Sequence, residues 1–189
     1  MHQRPRRATA LFAAILALAL PLGALGQSEE PSAEPDASVP QIEGLGWYTS
    51  IDVAGASVES AFSPEEVQQW TAMLDVAGAT LDDLEYSYRQ VIDPATLPQL
   101  GGLATVRIAG ADEAAVLAAV LADISAQAVS LGAEPTSSEP TTVGGKDVTR
   151  VDLPPEMGPD DAYVYVSGDT AWVFVMQQAL AELGLQGMP

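Results

Sequence analysis

Residues 162–176, A-Y-V-Y-V-S-G-D-T-A-W-V-F-V-M, constrain the fold more than any other stretch of the chain. Apolar character alternates on either side of Gly168-Asp169, a two-residue turn pair, so the segment reads as two antiparallel strands of one hairpin. Such a loop sets Ser167 against Thr170, Val166 against Ala171, Tyr165 against Trp172, Val164 against Val173 and Tyr163 against Phe174. Successive strand side chains point to opposite faces, so one face collects the rings of Tyr163, Tyr165, Trp172 and Phe174 and the other collects valines. A hairpin that is apolar on both faces needs cover on both. It belongs either in the middle of a sheet between two layers, or where a partner covers one side.

Around this hairpin the sequence supplies further strands and helices. Gly46 to Val53 reads as a first strand. Ser63-Pro64-Glu65-Glu66 is a capping box with proline at the first helical position, and Phe62 and Val67 are spaced as a hydrophobic staple. The helix it opens carries Val67, Trp70 and Leu74 on one stripe and stops at Gly78, after Ala77. Glu85 to Ile92 is a strand, Asp93 to Gly102 a connection with two prolines and two glycines, and Leu103 to Ala109 another strand. Asp112 caps an alanine-rich helix from Glu113 to Val129, on which Val116, Leu117, Val120, Leu121 and Ile124 make one apolar face. Gly144-Gly145 turns a second hairpin between Thr141-Thr142-Val143 and Lys146 to Leu153, in a register that sets Glu139 opposite Arg150. Pro154 to Asp161 is an acidic loop, and Gln177 to Leu183 a closing helix. The order β-α-β-β-α-β-β-β-β-α, so rich in hairpins, predicts an α+β fold. Its sheet is mainly antiparallel, with the two longer helices packed on one face and all helices gathered there.

The start of the chain has a different character. Arg4, Arg6 and Arg7 precede an apolar run from Ala8 to Leu20, broken at Pro21 and followed by Ala24-Leu25-Gly26. This is the pattern of a secretory signal peptide over residues 1–26, and an uncleaved N-terminal anchor is the alternative. Gln27 to Pro40, with acids, serine and proline, one valine and no aromatic, reads as a disordered acidic linker. Residues 41–189 are then one domain, secreted or otherwise extracytoplasmic. Beyond residue 26 the chain keeps four bases against all 26 acids, a formal charge of −22. That balance argues against nucleic acid as a partner, and against direct docking on anionic membranes.

His2 is the only histidine and there is no cysteine, so the domain has neither the usual zinc ligands nor a histidine base for a serine nucleophile. Gly144-Gly145-Lys146 lacks the glycine and the hydroxyl residue that a phosphate loop needs at Pro140 and Asp147. The sequence points to no cofactor and no metal, although irregular oxygen ligation of calcium would centre on Glu156, Asp160 and Asp161. Two carboxylates suffice for glycoside hydrolysis, and Asp82-Asp83, Asp160-Asp161 and Asp169 are loop acids of that kind, with ordinary turn chemistry as the plain alternative. Tyr163, Tyr165, Trp172 and Phe174 are the candidate binding residues, either core or a flat platform for a glycan, an envelope protein or a second copy of the chain. Trp47, Tyr48 and Trp70 join the same cluster or cap the opposite layer.

The stretch G-G-K-D-V-T-R-V at 144–151, followed by Y-V-Y-V-S-G-D-T-A-W-V-F-V at 163–175, resembles modules in uncharacterised exported bacterial proteins, in which a pair of β-hairpins follows an alanine-rich helix. The resemblance spans residues 103–183 and implies no activity, cofactor or functional residue. The expectation is an exported, acidic, non-catalytic domain with a binding or structural role. A carboxylate-based hydrolase acting on cell-envelope glycans is the alternative.

Overall fold

The computed structural model describes residue 40 and residues 42–55, 57–92, 99–158 and 161–188. The expected signal peptide, and the linker apart from Pro40, lie outside the described residues. Among the described residues, seven strands form one antiparallel sheet: β1 (Gly46–Ala54), β2 (Leu84–Ile92), β3 (Gln99–Ile108), β4 (Ser137–Val143), β5 (Lys146–Asp152), β6 (Ala162–Ser167) and β7 (Thr170–Met176). Their order across the sheet is β1-β2-β3-β7-β6-β5-β4. The chain meanders through three strands, crosses to the far edge, and returns by hairpins until β7 closes against β3. The central strand is thus β7, in which Ala171 to Met176 are all buried. The β6–β7 register is the expected one, pair for pair from Ser167–Thr170 to Tyr163–Phe174.

Each face has its own core. On the valine face, Leu84, Tyr86, Tyr88, Ala104, Val106, Ile108, Val164, Ala171, Val173 and Val175 pack with two long helices, α2 (Pro64–Ala77) and α3 (Glu113–Ser130). A short helix, α1 (Ser57–Ala61), adds Val58. On the ring face, Leu103, Tyr163, Trp172, Phe174 and Met176 pack with α4 (Gln178–Gln186) through Ala181 and Leu185. The two longer helices share a face as expected. The gathering of all helices on one face is corrected: α4 takes the other side, because the rings left bare by α2 and α3 need their own cover.

The local signals behave as their chemistry dictates. Ser63 N–H donates to Glu66 Oε2 at 2.6 Å, the Glu66 amide donates to Ser63 Oγ at 3.4 Å, and Gly78 ends α2 in the left-handed region at φ 69°. Asp112 Oδ1 accepts from the Ala115 amide at 2.8 Å to open α3. Several boundaries differ, three of them with a clear physical reason. The strand expected from Leu103 starts at Gln99, with Gly101 and Gly102 inside it. Gly102 is there for close approach, since a Cβ on it would sit 2.2 Å from the Tyr88 hydroxyl. Pro40, assigned to the linker, is buried, and its carbonyl accepts from Trp47 Nε1 at 2.8 Å. The closing helix runs to Gln186, because Gly184 lies inside it against the Phe174 ring.

A Cβ on Gly184 would fall 2.7 Å from Phe174 Cε1. In an exposed helix interior, Gly→Ala stabilises by about 1 kcal/mol. Here the buried ring cannot yield, so we expect Gly184→Ala to destabilise by roughly 1–3 kcal/mol in urea denaturation. An unchanged or raised midpoint would mean that α4 does not press on Phe174.

Candidate functional site

The four candidate rings do share one face, but they are not equivalent. Phe174 is fully buried beneath α4 and Tyr163 is 3% exposed, so both are core. Trp172, 7% exposed, lies beside Tyr165 with ring centroids 5.6 Å apart. Tyr165 is half-buried, and Lys146 Nζ stands 5.7 Å from its centroid. Trp47 joins this cluster, whereas Trp70 belongs to the opposite layer, 4.7 Å from Tyr86 and 6.1 Å from Phe62 between centroids. The side chain of Tyr48 lies outside the described residues.

Three of the loop acids singled out as candidate catalysts, Asp83, Asp161 and Asp169, have structural occupations. Asp83 Oδ2 accepts from the Thr80 amide and from Thr80 Oγ1, both at 2.9 Å, which holds its carboxyl below the usual range. Asp169 pairs with Arg107 at 3.0 Å, and the same guanidinium reaches Glu85 at 2.7 Å. Arg150 gathers Asp161 at 3.0 Å, Asp152 at 3.1 Å and the expected partner Glu139 at 3.4 Å. Asp160, named for both calcium and hydrolysis, lies outside the described residues. Among those described, no three carboxylates are placed to share a cation.

Register places the charges in a way the sequence conceals. Arg89 is paired with Leu103, Leu103 with Phe174, Phe174 with Tyr163, and Tyr163 with Arg150, so both arginines stand on the ring face. Arg107, opposite Thr170, and Lys146, over Tyr165, stand there too. All four bases beyond residue 26 therefore share one side of the sheet. On the other side α3 packs mainly over β3, β7 and β6, with a step down to β5 and β4 beside it. A groove of about 640 Å³ opens at this step. Glu113, Ala114 and Leu117 wall it, Val164 and Val166 floor it, and Pro140, Thr142, Asp147 and Thr149 of the bare hairpin form its far bank. Its lining holds two acids and no base. Glu113 Oε1 also accepts from the Gly168 amide at 2.8 Å, fixing the start of α3 to the central hairpin turn. The sequence hid this groove because its lining comes from four elements and depends on where α3 ends laterally.

Between α2 and α3 lies a second polar feature. Asp123 accepts from Gln69 Nε2 at 3.0 Å and from Gln127 Nε2 at 2.6 Å. It lines a cavity of about 20 Å³ with Trp70, Tyr86 and Val173, too small for a sugar. Burial pushes its carboxyl up to about 6, against the pull of the two amide hydrogen bonds. The same burial, aided by Tyr88 and Asp123, pushes the Tyr86 phenol upward. The available signal was an acid and a glutamine four residues apart on an otherwise apolar rod.

The chain matches no protein-family model, no curated protein and no solved structure.

A carboxyl raised in the folded state binds protons there that the unfolded chain releases, so its ionisation removes stability as pH rises from about 4 to about 6. Asp123→Asn keeps the shape and removes the charge, and turning over the Gln127 amide lets the new N–H donate to Gln127 Oε1 in place of the bond from Gln127 Nε2. We expect this variant to be more stable than the parent by roughly 1–3 kcal/mol at pH 7.5, with the gain vanishing near pH 4. Urea denaturation at both pH values checks it. An equal effect at the two would contradict the raised carboxyl.

Proposed function

We propose that this protein is an exported, non-catalytic binding domain whose contact surface is the groove between α3 and the β4–β5 hairpin. The observation that carries this reading is the groove itself, an open, partly apolar trough between a helix and the strands beside it, of the size in which ligand and partner sites are usually found. The ring face contributes less than its composition promised, since Tyr163 and Phe174 serve the core. Tyr165, half-buried beside the core ring of Trp172, is a secondary contact for a glycan or an envelope protein. A non-catalytic role is supported by the caps and ion pairs that engage Asp83, Asp161 and Asp169. Export rests on the basic, apolar start of the chain, and the acidity of the rest keeps nucleic acid and anionic lipid out of the partner list.

A photo-crosslinking residue at Thr149, in protein exported by cells that carry the native sequence, should yield a discrete adduct on irradiation. The same residue at Asp75, on the exposed side of α2, should not. Absence of an adduct at Thr149, or equal adducts at both positions, would remove the groove as the contact surface. Release of reducing ends from purified envelope glycan by the protein would contradict the non-catalytic reading.

A further inference from the structure

We infer that the groove receives an amphipathic α-helix of a partner protein, about two turns in contact, with an apolar stripe flanked by lysine or arginine. This inference rests on the groove being the contact surface. The first ground is width. Seven strands at about 4.8 Å span roughly 29 Å, and helices about 10 Å wide cover such a face in threes. The valine face carries two long helices, and α3 packs mainly over β3, β7 and β6, so the third position lies over β5 and β4. Leu153 and Met157 belong to the core cluster with Val151, and the groove runs beside Thr149, Asp147 and Thr142.

The second ground is what the site refuses. An added strand would pair along the edge of β4, but Pro140, in the middle of that strand, has no amide to donate. A helix satisfies its own backbone and asks only for side-chain contacts, and the wall offers it small and apolar ones in Ala114 and Leu117.

The third ground is charge. Glu113 and Asp147 rim the groove, and every base beyond residue 26 stands on the opposite face of the sheet. A second copy of this chain would bring like charge, whereas a cationic helix brings complement.

The test uses three 18-residue helical peptides added to the ¹⁵N-labelled protein: one with a leucine-alanine stripe flanked by lysines, one with glutamates replacing the lysines, and one with serines replacing the leucines. The first should shift the amides of Leu117, Thr149 and Val166 saturably. The other two should bind at least ten-fold more weakly. Thr149→Trp, which fills the groove from a strand position that favours aromatics, should weaken the first peptide at least ten-fold while melting like the parent. Equal binding of the glutamate peptide at the groove would overturn the cationic partner while leaving the groove as a contact surface. Equal binding of the serine peptide, with shifts spread over the acidic surface, would overturn the helix site in favour of unspecific attraction. Binding seen only after removal of residues 1–26 would assign the groove to the chain's own basic, apolar start. No binding at the groove by any peptide, with a Thr149 crosslink still present, would overturn the helix and keep the groove. Loss of both would overturn the groove as well.

Discussion

The structure depends on the burial of β7 from both sides. A strand whose alternate residues are Ala171, Val173, Val175 and Trp172, Phe174, Met176 has no face it can leave in water. Placing it fourth of seven gives it hydrogen-bonded neighbours in β3 and β6, and the two layers follow from its composition. Narrow side chains on one face admit the long helices α2 and α3. Rings on the other fill the space under a short helix, and Gly184 and Gly144 let that helix come close. A Cβ on Gly144 would lie 2.6 Å from the Glu182 carbonyl oxygen.

Much of this was legible in the residues, and the exceptions have physical reasons. The β6–β7 register was readable because a two-residue turn and a strict period of two leave one solution. The capping box of α2 was readable because its signal lies within four residues. Gly101 and Gly102 misled because a glycine pair signals a turn as readily as close packing, and only the neighbours across the sheet, β7 at Gly101 and the Tyr88 ring at Gly102, decide between them. The side taken by α4 was hidden for a similar reason: nothing local to residues 177–183 says which face of β7 it folds back on.

The candidate site shows the same division. That Tyr163, Tyr165, Trp172 and Phe174 share a face follows from alternation, but which of them is covered depends on α4, an element distant from most of them in register. The gathering of Arg89, Arg107, Lys146 and Arg150 on that face is written in strand parity, yet it emerges only once β2, β3, β5 and β7 are laid in order. The result is a domain polarised across its sheet. Every base beyond residue 26 stands with the rings and the ion-pair acids, and the groove on the other side is lined by Glu113 and Asp147 as its acids.

Native-state hydrogen exchange tests the central claim most directly. If β7 is the doubly covered centre of the sheet, the amides of Val173, Phe174 and Val175 exchange only through global unfolding and are the slowest in the protein, orders of magnitude slower than those of the β4 edge. Exchange of the β7 amides as fast as those of β4 would mean that one of its faces is open to water, and would contradict the two-layer closure from which the rest follows.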